Sequence, residues 1–130
     1  MVRERGGSTS VGQLQALMDV VETIMESDDF KGCIFVNVTM EFPLPHEPAH
    51  QLASQNKQAI VDFVEEPAAA AGADDPPLLA RELCMIIEGA YETRLLTGNR
   101  DTIHVARGLT DLIIATRCRI SVDRRTQDTH

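Results

Sequence analysis

Residues 32–42 read Gly32-Cys33-Ile34-Phe35-Val36-Asn37-Val38-Thr39-Met40-Glu41-Phe42. Ile34, Val36, Val38, Met40 and Phe42 alternate with Phe35, Asn37, Thr39 and Glu41. Taken alone, this period of two with its β-branched residues spells a strand. A lone strand leaves its backbone N–H and C=O groups without partners, and no second stretch of strand character is there to pair with it. Everything around it has helical period, so consistency across the domain favours a buried helix over this stretch.

Upstream, Val11, Leu14, Leu17, Met18, Val21, Ile24 and Met25 follow the i, i+3, i+4, i+7 spacing of an amphipathic helix over about 11–26. Ser10 is a candidate cap, and Ser27-Asp28-Asp29 ends the helix. Downstream, Pro43, Pro45 and Pro48 make a turn-rich connection, and Pro48 suits the first position of a new helix. Ala49, Leu52, Ala53, Asn56, Ile60, Phe63 and Val64 carry its stripe to about Glu66. The alanines that follow could extend the helix, but Pro67 argues for a break there, which makes residues 67–77 a linker. Leu78 to Thr97 is apolar nearly all round and should be central. Gly98-Asn99 stops it, Asp101 can cap a last helix over 101–116, and 117–130 is polar. The fold class is all-α: an antiparallel bundle of about five helices over 11–116, with a flexible leader over 1–10 and a polar tail over 117–130.

The chain of 130 residues is one domain's worth and long enough for a real core. Residues 1–116 carry eight basic and eighteen acidic side chains, whereas 117–130 carry four arginines and two aspartates, for a total of −8. That acidic excess repels phosphate backbones and tolerates cationic ligands. No tryptophan is present and aromatics are 4%, so there is no stacking platform for bases. The N-terminus lacks the apolar core of a signal peptide, and no apolar run approaches the roughly 20 residues of a membrane span. Cys33, Cys84 and Cys118 are odd in number and form no CxxC pair, which excludes a disulfide framework or zinc ribbon and fits a reducing compartment. Cys33 and Cys84, inside apolar runs, are read as packing. The expected location is the cytoplasm, with no membrane partner.

Chemistry-bearing motifs are few. His46-Glu47-Pro48-Ala49-His50 spells HExxH, which binds zinc when both histidines share one helix face. If Pro48 opens the helix, His46 precedes it and that geometry is lost, so a metal enzyme is the weakest reading. Asn37, Glu41 and Glu88 are polar residues in apolar runs, and a buried carboxylate needs a partner or ligand. Gly89 allows close helix approach. Tyr91, the single tyrosine, could turn its hydroxyl into a pocket, and His104 reads as surface or packing. No nucleophile elbow, phosphate loop or dinucleotide fingerprint occurs, so the chain is read as no enzyme, with no metal and no cofactor.

Phe30-Lys31-Gly32-Cys33-Ile34-Phe35-Val36-Asn37, followed by Glu41-Phe42-Pro43 and Pro48, resembles a segment of the TetR family of bacterial transcriptional regulators. Leu83-Cys84-Met85-Ile86-Ile87-Glu88-Gly89-Ala90 resembles that family's eighth helix, and the resemblance covers about residues 11–115. It implies a helix rather than a strand over 32–42. It also implies an effector-binding and dimerising regulatory domain, its last two helices, here about 76–97 and 101–116, pairing with their twins. The candidate ligand-binding residues are then Met18, Val21, Phe35, Phe63, Ile87, Glu88 and Tyr91, with apolar walls for affinity and Glu88 or Tyr91 for orientation. The candidate dimer residues are Leu83, Ala90, Arg94, Leu109, Leu112 and Ile113. The family's DNA-binding head and connecting fourth helix have no counterpart here, so direct DNA binding is not expected of this chain alone. The alternative is a headless interaction module that forms mixed dimers with a full-length regulator.

Overall fold

The computed structural model describes residues 10–118. The expected leader, apart from Ser10, and the expected tail from residue 119 onward lie outside the described residues. Among the described residues five helices follow one another: α1 (Ser10–Met25), α2 (Ile34–Glu41), α3 (Pro48–Ala70), α4 (Pro76–Thr97) and α5 (Thr102–Arg117). Among the described residues the only ladder-type pairing is a single bridge between Ala73 and Cys118. Short links join α3 to α4 and α4 to α5, which makes them antiparallel neighbours. The fourth helix is central: it packs against α3 on one side and α5 on the other, with α1 touching all three.

The core has two parts. Near one end, Leu14, Val64, Ala68, Leu79, Leu83, Cys84, Ile114 and Cys118 close together. Near the other, Met18, Val21, Met25, Ala90, Ile103 and Ala106 do the same, with Phe30, Ile86, Ile87 and Tyr91 against them. All three cysteines are free and buried, used as small hydrophobes. Burial pushes the Cys84 and Cys118 thiols up, because a thiolate would lose its water there.

Three local expectations change. The stretch 34–41 is helical, yet none of its residues is buried. Two turns packed only against α3 cannot enclose a residue on every side, so α2 is peripheral. The break at Pro67 does not occur: α3 runs on to Ala70 with Pro67 inside it. The ring costs one backbone hydrogen bond, but Ala68 is fully enclosed in the core, and the amide of Ala71 donates back to the Pro67 carbonyl. The folded region also ends later than 116. Arg117 closes a two-pronged ion pair onto Glu82, at 3.0 and 2.8 Å, and Cys118 enters the core.

The caps differ as well. Asp75, not singled out from the sequence, caps α4 by accepting from the Leu78 amide at 3.2 Å. Asp101 makes no such bond at the head of α5. There the Asn99 side chain accepts from the Asp101 amide, and Thr102 donates its hydroxyl to the Asn99 carbonyl. Gly98, with φ of 66°, ends α4 in the left-handed conformation that glycine adopts without strain.

Candidate functional site

The residues expected to line a ligand pocket divide in two. Met18 and Val21, one turn apart on α1, are buried and meet Ile87 and Tyr91 of α4 in the second core cluster. Phe30 stacks on Tyr91 with ring centroids 5.6 Å apart and planes tilted by 53°. Burial of this hydroxyl, reinforced by the nearby Cys33, pushes Tyr91 up to about 12. Phe35, Phe63 and Glu88 do not join this cluster. Phe35 is half-buried on the peripheral α2, and Phe63 is 56% exposed on α3. Glu88 pairs with Lys57 across α3 and α4, so its charge already has a partner.

The Gly32-Cys33 pair has a structural role that composition did not disclose. Gly32 stands at φ of 85°, and a side chain there would press against the Glu92 carboxylate at 2.8 Å and Leu95 at 3.0 Å. The Cys33 amide donates to that same carboxylate at 3.0 Å. No cap side chain from residue 33 itself satisfies the start of α2, so Glu92 supplies an acceptor from α4. A glycine before an apolar helix that lacks Ser, Thr, Asp or Asn at its head is the signal that could have pointed to an outside cap.

An apolar cleft of about 390 Å³ lies between α4 and α5, floored by Ala90 and Ala106 and walled by Ile86, Thr93, Val105 and Leu109. Of the expected dimer residues, Leu109 and Leu112 are exposed beside or near it, and Ile113 is half-buried. Ala90 is buried at its floor, and Leu83, 1% exposed, is enclosed in the chain's own core. Arg94 lies away from this cleft, in a small one with Glu22, Glu26 and Arg100. Gly89 and Gly108 sit in mid-helix on α4 and α5 with open space where a side chain would stand. The outward stripe of α4 therefore reads Met85, Gly89, Thr93, Leu96, and that of α5 reads Val105, Gly108, Leu109, Leu112.

Charge ties the helices together around this core. Arg107 of α5 reaches α1, donating to Asp19 at 2.7 Å and to Glu22 at 3.0 and 3.3 Å. Burial works against its charge, but the two carboxylates outweigh it and hold the guanidinium above its ordinary value. The histidine motif stays apart: Glu47 precedes α3, Pro48 opens it, and the His50 ring Nδ1 is 2.9 Å from the Phe42 carbonyl. No group of three metal-ligating side chains occurs among the described residues. No helix among them is long and apolar enough to cross a membrane.

Residues 10–109 match the family model described as tetracyclin repressor-like, C-terminal domain. The chain is 29% identical over 112 residues to the HTH-type transcriptional regulator YjdC of Escherichia coli (strain K12) and, equally, to that of Shigella flexneri. That match takes in 85% of this chain and 59% of each relative, so the chain spans about three-fifths of their length. Among crystal structures, SCO4454, a TetR-family transcriptional regulator from Streptomyces coelicolor, superposes with a TM-score of 0.83 at 24% identity. It covers 90% of this chain and 61% of that one, a likeness of fold. The TetR-type regulator sav143 of Streptomyces avermitilis superposes at 0.66 with 26% identity, over 81% of this chain and 61% of that one. These relatives are described as regulators of transcription.

Proposed function

Because the chain belongs to the tetracyclin repressor-like, C-terminal domain family, we propose that it is the regulatory part of a TetR-type transcriptional regulator. In this reading it works in the cytoplasm, pairs with a second copy through α4 and α5, and holds a small-molecule effector among its helices.

The observation that carries the pairing is the outward face of α4 and α5. Met85 is 70% exposed and Leu112 65%, with Leu96, Val105 and Leu109 also exposed on the same two helices. A contiguous apolar face of this kind marks an interaction surface. The two bare glycines sharpen the argument. A mid-helix glycine costs about 1 kcal/mol relative to alanine, and nothing in the protomer approaches Gly89 or Gly108. Close approach by another backbone gives both a reason, and a two-fold pair sets each stripe against its twin. Leu109, Leu112 and Ile113 are then contact residues, Ala90 lies beneath them, and Leu83 supports the helix from behind.

For the effector, we take Met18, Val21, Ile87 and Tyr91, which pack together as core between α1 and α4, as apolar walls that part around a ligand and one hydroxyl that orients it. The net charge of −8 favours an apolar or cationic molecule over an anion. Binding that shifts α1 against α4 reaches α5 through Arg107, which is how a ligand could bias the arrangement of the pair.

Native mass spectrometry of the freshly purified protein tests both parts. A dimer carrying extra mass supports pairing and effector binding together. A bare dimer supports pairing alone. A dimer with a longer regulator recovered from the host favours the interaction-module reading, since the same face would serve. A bare monomer at micromolar concentration overturns the pairing.

A further inference from the structure

The end of α1 and the turn from α4 to α5 enclose a polar cleft of about 230 Å³, which shares Met25, Glu26, Arg94 and Arg100 with a smaller one of about 50 Å³. Arg94, in the last turn of α4, and Arg100, in the following turn, both line it. Glu26 and Asp28, which follow α1, line it as well. Met25, which is buried, and Phe30 add apolar surface.

Elsewhere in the described residues several opposite charges have closed into ion pairs: Lys57 with Glu88, Arg107 with Asp19 and Glu22, and Arg117 with Glu82. Arg94, Arg100, Glu26 and Asp28 share one cleft and form none. The backbone explains the separation. Met25 anchors the end of α1 in the core. The left-handed Gly98 and the Asn99 side chain, bonded to the Asp101 amide, set the course of the turn that bears Arg100. A gap between opposed charges suits a molecule that carries both. A simple anion there meets Glu26 and Asp28, and a simple cation meets the two arginines.

We propose that this cleft binds a small zwitterion, an α-amino acid with an uncharged side chain. Its carboxylate lies on Arg94 and Arg100, its ammonium on Glu26 and Asp28, and its side chain against Met25 and Phe30. Charge-assisted hydrogen bonds to guanidinium are the strong ones, and the apolar contact selects among amino acids. The site borders the effector cluster around Met18 and Tyr91, to which Met25 and Phe30 also belong, and stands whether or not that cluster binds a ligand.

Isothermal titration of the full chain at neutral pH and low salt with L-leucine tests it. Leucine amide, which lacks the carboxylate, and 4-methylpentanoate, which lacks the ammonium, are the controls. Saturable leucine binding is expected, with both controls weaker by about tenfold or more, the scale of one lost charged hydrogen bond. Arg94→Gln and Glu26→Gln should each weaken leucine to a similar degree, and Arg81→Gln, at an exposed position elsewhere on α4, should not. Arg100→Gln, on an exposed turn, serves the same purpose if Arg94→Gln fails to fold. The proposal is overturned if leucine binds with a Kd weaker than about 10 mM. It is equally overturned if either control matches leucine, or if leucine binding is the same in Arg100→Gln and Glu26→Gln as in the unaltered protein.

Discussion

The carboxylate of Glu92 accepts a 3.0 Å hydrogen bond from the backbone N–H of Cys33, fifty-nine positions earlier in the chain. This contact docks the head of α2 onto α4, the central helix of the bundle. Because α2 buries no side chain of its own, its position depends on this acceptor, on the buried Cys33 and on its packing against α3. Glu92→Ala leaves the amide without its acceptor and should cost about 1–3 kcal/mol in denaturant unfolding, whereas Glu92→Gln, which keeps an oxygen in place, should cost less. Equal losses for the two would mean that the acceptor geometry does not matter.

Gly32→Ala attacks the same joint from the backbone. A φ of 85° is strained for alanine, and the added carbon meets Glu92 at 2.8 Å. A loss of about 1–3 kcal/mol is expected, and Gly98→Ala, at φ of 66° with open space around it, should lose only the strain part. Chemical denaturation of the two variants side by side separates crowding from strain.

Gly89 distinguishes the fold of the protomer from its pairing. With open space at that position, Gly89→Ala should stabilise the helix by up to about 1 kcal/mol. Gly89→Leu and Leu112→Asp should leave helicity by circular dichroism unchanged while converting dimer to monomer in sedimentation velocity. A dimer that survives both substitutions would place the pairing surface elsewhere.

Tyr91 titrates in isolation, since the chain has no tryptophan and no other tyrosine. Its absorbance near 295 nm should show a midpoint near 12, not near 10. The folded form keeps the proton to higher pH than the unfolded form does. Its contribution to stability is therefore complete below about pH 10 and is lost as pH rises through about 12. Tyr91→Phe should flatten that alkaline loss. A midpoint near 10 in the folded protein would mean the hydroxyl is solvated.

Arg107 joins α5 to α1 through Asp19 and Glu22, with side chains about one-third to one-half exposed. Solvent screens such pairs, so Arg107→Met should cost about 1 kcal/mol or less. A double-mutant cycle with Glu22→Gln should give a coupling that shrinks in high salt. A coupling unaffected by salt would mean that packing of the side-chain stem accounts for the effect.

Much of the bundle was legible in the order of residues. The 3.6 period of Val11 to Met25 places α1 within one residue at each end, and Pro48 and Gly98 mark a start and a stop because ring and missing side chain constrain the backbone locally. The segment 34–41 shows where local information stops. Its alternation favours a strand, yet among the described residues no strand lies beside it, and Glu92 delivers an acceptor to the head of the helix. Pro67 shows the same limit: its local preference to end a helix yields to the burial of Ala68 in the core.

The candidate site divides along the same line. Met18 and Val21 turn inward as the period of α1 predicts, and the packing of α4 brings Ile87 and Tyr91 to them. Phe63 and Leu83 could not be sorted by type, since an apolar residue on an apolar-rich helix can face the core or the outside. Only the packing of α3 and α4 leaves Phe63 exposed and encloses Leu83. The engagement of Glu88 by Lys57, and the unpaired charges of Arg94, Arg100, Glu26 and Asp28, likewise depend on distances between helices. Period, capping chemistry and glycine and proline geometry act over a few residues, so the sequence by itself determined the course of α1, α4 and α5, the start of α3 and the inward face of α1. Which surfaces stay open, and which charges meet, is decided across separations of tens of residues, where only the tertiary structure sets the distance.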